Sequence, residues 1–147
     1  MTNKQKLVFA CYGINAIGFL LFGLVYTFNS EFLPFHSDAI QSSWESVSQP
    51  AQVLYLGMMR TEGAGLLASA IAIMILLAIP FRRKERWSYW AIAVIGVVEN
   101  VPSMVGAYNT TQATPASSPW QLNALGVVLL IVGLVLALTS DTEKAGE

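Results

Sequence analysis

The chain has 147 residues, which is enough for one compact domain, and 54% of them are hydrophobic while 12% are charged. Soluble domains carry roughly a quarter charged residues, so this composition indicates a membrane protein. Cys11 and His36 are the only residues of their types, which excludes an intrachain disulfide, a Cys-X-X-Cys redox pair and a familiar zinc or haem site within one chain. We expect no cofactor, no metal and no nucleic-acid partner.

Four segments are long and apolar enough for a helical membrane crossing, which takes roughly 20 residues. They are Leu7–Phe28, Ala51–Ile79, Trp87–Tyr108 and Trp120–Leu138. The first is too long for the apolar core of a signal peptide and no small-residue cleavage motif follows it, so we interpret it as a retained helix. The second exceeds the required length and should tilt or project beyond the lipid. The predicted fold is all-α: a four-transmembrane-helix bundle formed by one domain, 1–140, and followed by a disordered tail, 141–147.

The Lys and Arg residues predict the orientation of the spans. Seven of them lie in the N-terminal segment, the middle loop and the C-terminal segment, namely Lys4, Lys6, Arg82, Arg83, Lys84, Arg86 and Lys144. With four spans these regions share one side of the membrane, whereas the other two loops contain no Lys or Arg. The positive-inside rule therefore predicts a multi-pass protein of the bacterial cytoplasmic (inner) membrane with both termini cytoplasmic. The remaining basic residue, Arg60, lies within the second span.

The first outer loop is predicted to contain a short amphipathic helix that lies on the membrane surface. Ser37 or Asp38 would cap this helix. Ile40, Trp44 and Val47 recur at the i, i+4, i+7 spacing of one helix face, which is typical of an interfacial helix.

Three acidic and basic residues fall inside the predicted spans. At about 1.5 Å per residue, Arg60 and Glu62 lie about 14 and 16 Å below the outer surface, and Glu99 of the third span lies about 14 Å below it. An ionised group in lipid costs several kcal/mol unless it is paired or hydrated. The matched depths predict an ion pair between Arg60 and Glu99.

Glu62 cannot face the same way as Arg60, because two residues turn a helix by about 200°. It is predicted to point along a separate face with Gly65 and Ser69, towards a neighbouring helix or a second subunit. Three asparagines complete the candidate site: Asn100 beside Glu99, Asn15 near the middle of the first span and Asn123 near the outer end of the fourth. For Asn15 and Asn123, interhelical hydrogen bonding is the alternative role.

The segments IPFRRKERWSYWA, MMRTEG and TPASSPW resemble those of a broad group of small uncharacterised bacterial four-helix membrane proteins. This resemblance covers most of the chain and implies a four-span membrane protein without established chemistry. Small multidrug resistance transporters are similar in size and helix number but carry a glutamate in the first helix, where this chain has no acidic residue. The second-helix Arg/Asn/Glu pattern of the eicosanoid and glutathione membrane enzymes does not match RTEGAG.

The sequence leaves three functions open. The first is an oligomeric membrane protein that binds or conducts a small ion, a proton or an amphipathic ligand through Arg60, Glu62, Glu99 and the asparagines. The second is an accessory or scaffold subunit, assembled with itself or with a partner membrane subunit, whose charges fix helix packing. The third and weakest is a membrane enzyme acting on a lipophilic substrate, for which Glu62 and His36 are the candidate pair although they are separated in depth.

Overall fold

The computed structural model describes residues 2–142, with side chains through Thr139, and this part of the chain contains helices and no strand. The α-helices are α1 Asn3–Phe28, α2 Pro34–Ile40, α3 Gln49–Ala78, α4 Trp87–Ala113 and α5 Trp120–Thr142, with a 3-10 turn at Trp44–Ser46. Four of them, α1, α3, α4 and α5, are long and apolar enough to cross a membrane. The all-α class and the four candidate spans are thus confirmed. Of the tail predicted at 141–147, the first two residues continue α5, and 143–147 lie outside the described residues.

The four long helices form a bundle in which α1 packs along both α3 and α5, and α4 packs along α5. In contrast, α3 and α4 contact each other only sparsely. We call one end of the bundle the basic end and the other the acidic end. The basic end carries Lys4, Lys6, Arg82, Arg83 and Lys84, and the acidic end carries Glu31, Asp38 and Glu45.

The basic end is closed by an aromatic cluster. Phe81, in the connection between α3 and α4, is buried and lies edge-on to Phe9, Tyr12 and Tyr89, with ring centroids 5.9, 6.5 and 5.4 Å away. The Tyr12 hydroxyl also donates a hydrogen bond to the Tyr89 carbonyl at 3.2 Å. Edge-to-face ring pairs add to the energy of apolar burial, so this cluster anchors the charged connection to α1 and α4.

Glycines allow the long helices to approach closely. A Cβ atom on Gly63 of α3 would lie 2.5 Å from Thr27 Oγ1 of α1, and one on Gly96 of α4 would lie 2.5 Å from Leu130 of α5. Helix pairs in membranes commonly use such small residues, because van der Waals packing replaces the hydrophobic driving force. The bundle is therefore held by close backbone contact as well as by apolar side chains.

The structure corrects the predicted surface helix. One helix from Ser37 or Asp38 to Val47 was expected, but α2 begins earlier, at Pro34, and a separate 3-10 turn follows it. The cause is Gln41, which adopts a left-handed conformation with φ of 52° and thereby ends α2.

The aromatic residues of this segment also pack differently from the prediction. The Trp44 ring lies edge-on to Phe32, with centroids 5.0 Å apart, and Phe32 contacts Tyr55 of α3 in the same way at 5.8 Å. Phe32 is buried. The segment between α1 and α3 therefore folds over the acidic end around its own small core.

The length of α3 changes the depth assigned to Arg60. Its 30 residues span about 45 Å, whereas the hydrocarbon core of a bilayer is about 30 Å thick. Counted from Ala78 at the basic end, Arg60 lies about 27 Å along the helix, close to the opposite boundary of such a core. Arg60 is exposed on the surface of the bundle.

Candidate functional site

Glu99 is bonded to Ser69 of α3. The Ser69 hydroxyl donates to Glu99 Oε1 at 2.6 Å, and a Cβ atom on Gly65 would lie 3.7 Å from the same oxygen. Ser69 follows Arg60 by nine residues, or about 180° of helical rotation, so Arg60 faces the opposite way and is exposed. The predicted Arg60–Glu99 ion pair is therefore wrong, because matched depth did not fix the rotation of α3.

Glu62 shares the α3 face of Gly65 and Ser69, as predicted. This face is directed towards α4, because Ser69 bonds Glu99 and a Cβ atom on Gly65 would lie 3.7 Å from the same carboxylate oxygen. The neighbour of this face is thus a helix of the same chain. Glu62 and Glu99 lie on facing sides of α3 and α4, which touch each other only sparsely.

Asn15 and Asn100 form a buried hydrogen-bond network that joins α1, α4 and α5. Asn100 Nδ2 donates to Asn15 Oδ1 at 3.1 Å and to the Gly96 carbonyl at 2.9 Å. Asn15 Nδ2 donates to the carbonyls of Gly126 at 3.3 Å and Cys11 at 3.2 Å. Both side chains are buried, so their amide groups serve helix association.

A cavity of about 490 Å³, partly open to the surroundings, lies in the half of the bundle nearer the acidic end. All four long helices and α2 contribute to its wall. Its aromatic lining consists of Phe19, Phe22, Tyr26 and Phe35, and its polar lining includes His36, Glu62, Ser103 and Asn123. Cavities of about 300–1,000 Å³ with a mostly apolar wall and a few polar groups are typical of small-molecule sites.

Small residues on α4 create the space for this cavity. Pro102, Gly106 and Ala107 line it, and at helical spacing they present little side-chain volume on one side of α4. A Cβ atom on Gly106 would meet no atom within 4 Å. Pro102 also lacks an amide hydrogen for the Val98 carbonyl, so α4 lacks one backbone hydrogen bond at this level.

His36 brings a second titratable group to the cavity wall from α2. Its Nδ1 accepts a hydrogen bond from the Leu33 amide at 3.2 Å, and its ring lies 6.0 Å from that of Tyr26 and 4.2 Å from that of Phe35. Burial lowers the pKa of His36, so the ring is neutral at pH 7, with its proton on Nε2. The depth separation predicted between His36 and Glu62 does not prevent both from lining one cavity.

The structure distributes the six predicted site residues over three environments. Glu62 and Asn123 line the cavity, Glu99, Asn100 and Asn15 form hydrogen bonds between helices, and Arg60 lies on the outer face of α3. Sequence reasoning missed the aromatic wall, because a Phe within an apolar span carries no signal that separates a cavity-lining position from a lipid-facing one.

Comparisons with protein-family models, with curated proteins and with solved structures found no match to this chain.

Proposed function

We propose that this chain is a multi-pass membrane protein that binds a small amphipathic ligand in the cavity between α3 and α4. The observation that carries the proposal is the lining of the cavity, in which four aromatic side chains and one carboxylate, Glu62, share a volume of about 490 Å³. An apolar wall with few polar groups suits a ligand that has a hydrophobic body and a polar head.

Binding is supported better than conduction. Towards the basic end the interior is filled by apolar side chains, among them Ile73, Ile92 and Leu130, which are fully buried. Asn15 and Asn100 are the polar groups in the middle of the bundle: Asn100 donates to Asn15, and both donate to backbone carbonyls. A hydrated path would have to disrupt both this network and the aromatic cluster around Phe81.

The positions of the charged residues support an orientation for this site. With the basic end in the cytoplasm of a bacterial cell, the positive-inside rule is satisfied and both termini are cytoplasmic. The cavity would then face the external side of the cytoplasmic membrane. Assembly into a homo-oligomer, or with a partner membrane subunit, stays a prediction from the sequence.

A second candidate is an accessory subunit whose intramembrane polar groups only fix helix packing. The Asn100–Asn15, Asn15–Gly126 and Ser69–Glu99 bonds favour it, since each of them joins two helices. It gives no reason for a carboxylate at the wall of a cavity. The enzyme alternative is supported only by the presence of His36 and Glu62 in that wall.

The test fills the cavity and measures binding of a neutral hydrophobic fluorophore, N-phenyl-1-naphthylamine, to protein in lipid nanodiscs, with empty nanodiscs as the baseline. Gly106→Trp places an indole in the cavity. Gly57→Trp is the matched control, because Gly57 is exposed, lies outside the cavity and likewise has no atom within 4 Å of an added Cβ.

We expect saturable binding to the wild-type chain and to Gly57→Trp, and binding at least about tenfold weaker to Gly106→Trp. Equal affinity of all three proteins would show that the fluorophore binds elsewhere. The absence of saturable binding to the wild-type chain would contradict the proposal and favour the accessory subunit.

A further inference from the structure

We infer that the ligand of this cavity is an organic cation, meaning a lipophilic or amphipathic molecule with a positively charged amine or another onium group. This inference rests on the proposed function and specifies the chemical class of its ligand.

The charge of the wall is the first argument. Glu62 lines the cavity, and Glu99 lies on the side of α4 that faces α3, bonded to Ser69. No Lys or Arg of the described part of the chain is among the lining residues. Arg60, two residues from Glu62, lies on a different face of α3 and cannot neutralise the wall from within the cavity. The Glu62 carboxylate, with no Lys or Arg beside it in the cavity wall, favours a positively charged ligand.

The aromatic rings are the second argument. Phe19, Phe22, Tyr26 and Phe35 surround the space beside Glu62, and the face of an aromatic ring attracts a cation. The attraction is strongest for weakly hydrated cations such as quaternary ammonium groups, which lose little hydration energy when they enter an apolar space. Aromatic rings and one carboxylate are the usual recognition elements for such groups.

The same wall does not suit a metal ion. Ca²⁺ requires six to eight oxygen ligands, and Mg²⁺ requires six in near-octahedral geometry. Among the residues that the structure describes, no group of three His, Cys, Asp or Glu side chains is placed to hold a metal ion. A single carboxylate among rings therefore selects an organic cation over an inorganic one.

The loops around the cavity are the third argument. Glu31, Asp38 and Glu45 are exposed at the acidic end, and residues 29–48 and 114–119 contain no Lys or Arg. Acidic residues in the loops at one end of the bundle raise the local concentration of cations there, and added salt weakens this effect. Cations would thus be attracted to the same end at which Glu62 receives them.

The experiment compares two probes of nearly the same size and shape but opposite charge, tetraphenylphosphonium and tetraphenylborate. Their binding to protein in phosphatidylcholine nanodiscs is measured by equilibrium dialysis with empty nanodiscs subtracted. Glu62→Gln removes the charge at almost constant volume. Glu45→Gln is the matched control, because it removes an acidic group that is exposed and does not line the cavity. Binding of N-phenyl-1-naphthylamine reports whether each variant keeps a folded cavity.

We expect the wild-type chain to bind tetraphenylphosphonium at least about tenfold more tightly than tetraphenylborate. The Glu62→Gln variant should bind tetraphenylphosphonium at least about tenfold more weakly than the wild-type chain, while it still binds the neutral fluorophore. Glu45→Gln should stay within about twofold of the wild-type chain. Equal or tighter binding of tetraphenylborate, or an unchanged phosphonium affinity in Glu62→Gln, would overturn the cation inference. If the fluorophore still binds in that case, the proposed function stands. If the wild-type chain binds none of the three probes, the proposed function fails together with the inference.

Discussion

The replacement of Gly126 by alanine should destabilise the bundle through the asparagine network. The added Cβ atom would lie 2.5 Å from Asn100 Oδ1 and 2.9 Å from Asn15 Oδ1. Both distances are shorter than ordinary contacts, so the two amide groups must move away from α5. That movement breaks the hydrogen bond from Asn15 to the Gly126 carbonyl, which is 3.3 Å long in the wild-type chain. It also strains the 3.1 Å bond from Asn100 to Asn15.

The expected loss follows from these contacts. Interhelical hydrogen bonds in membranes contribute about 0.6 kcal/mol on average, and up to about 1.7 kcal/mol. Overpacking of a closely packed interior costs roughly 1–3 kcal/mol. Together they lower the free energy of unfolding by about 2–4 kcal/mol, offset by the gain of up to about 1 kcal/mol that alanine brings over glycine in a helix.

The control that removes this offset is Gly106→Ala, since Gly106 also lies in a long helix but has open space around its Cβ position. Unfolding is followed by far-UV circular dichroism during titration of mixed micelles with sodium dodecyl sulfate. Gly126→Ala should be less stable than Gly106→Ala by about 2–4 kcal/mol. Equal stability of the two variants would refute the account of the network.

Three further predictions concern single contacts. Tyr12→Phe removes the 3.2 Å hydrogen bond to the Tyr89 carbonyl and should lower the free energy of unfolding by about 1 kcal/mol in the same titration; unchanged stability would argue against this bond. Ser69→Ala removes the 2.6 Å bond to Glu99 and should cost about 1 kcal/mol, whereas no change would show that α3 and α4 do not depend on it. Since burial lowers the pKa of His36 in the folded chain, the unfolded chain binds more protons below about pH 6.5. The free energy of unfolding of the wild-type chain should therefore fall as the pH decreases through that value, and that of His36→Gln should fall less steeply. Identical pH profiles of the two proteins would contradict the burial of the His36 ring.

The spans could be predicted from the sequence because each is a long apolar run bounded by charged or polar residues. The predicted starts at Trp87 and Trp120 coincide with those of α4 and α5, where a basic loop and a proline-containing loop end. The bend that separates α2 from the 3-10 turn could not be predicted, because Gln41 is not a residue type that favours positive φ.

The site was predictable only where helix geometry alone decided it. The 200° between Arg60 and Glu62 placed these residues on different faces of α3, and the structure shows this separation. Which face of α3 turns towards the other helices depends on packing. The equal depth of Arg60 and Glu99 therefore led to the wrong prediction of an ion pair between them. The cavity depends on the sparse contact between α3 and α4, a tertiary property with no pattern along one span.

A cation that occupies the cavity beside Glu62 should protect a cysteine in the cavity wall from labelling. Ser103→Cys, in a Cys11→Ala background, places a thiol in the cavity wall. Ser48→Cys is the control, since Ser48 is exposed at the same end and does not line the cavity. The rate of reaction with a polar maleimide is measured in nanodiscs with and without tetraphenylphosphonium.

Occupancy of the cavity by a cation predicts that tetraphenylphosphonium slows labelling of Ser103→Cys severalfold and that the same concentration of tetraphenylborate does not. Labelling of Ser48→Cys should be unaffected by either ion. A labelling rate for Ser103→Cys that is the same with and without saturating tetraphenylphosphonium would contradict this occupancy.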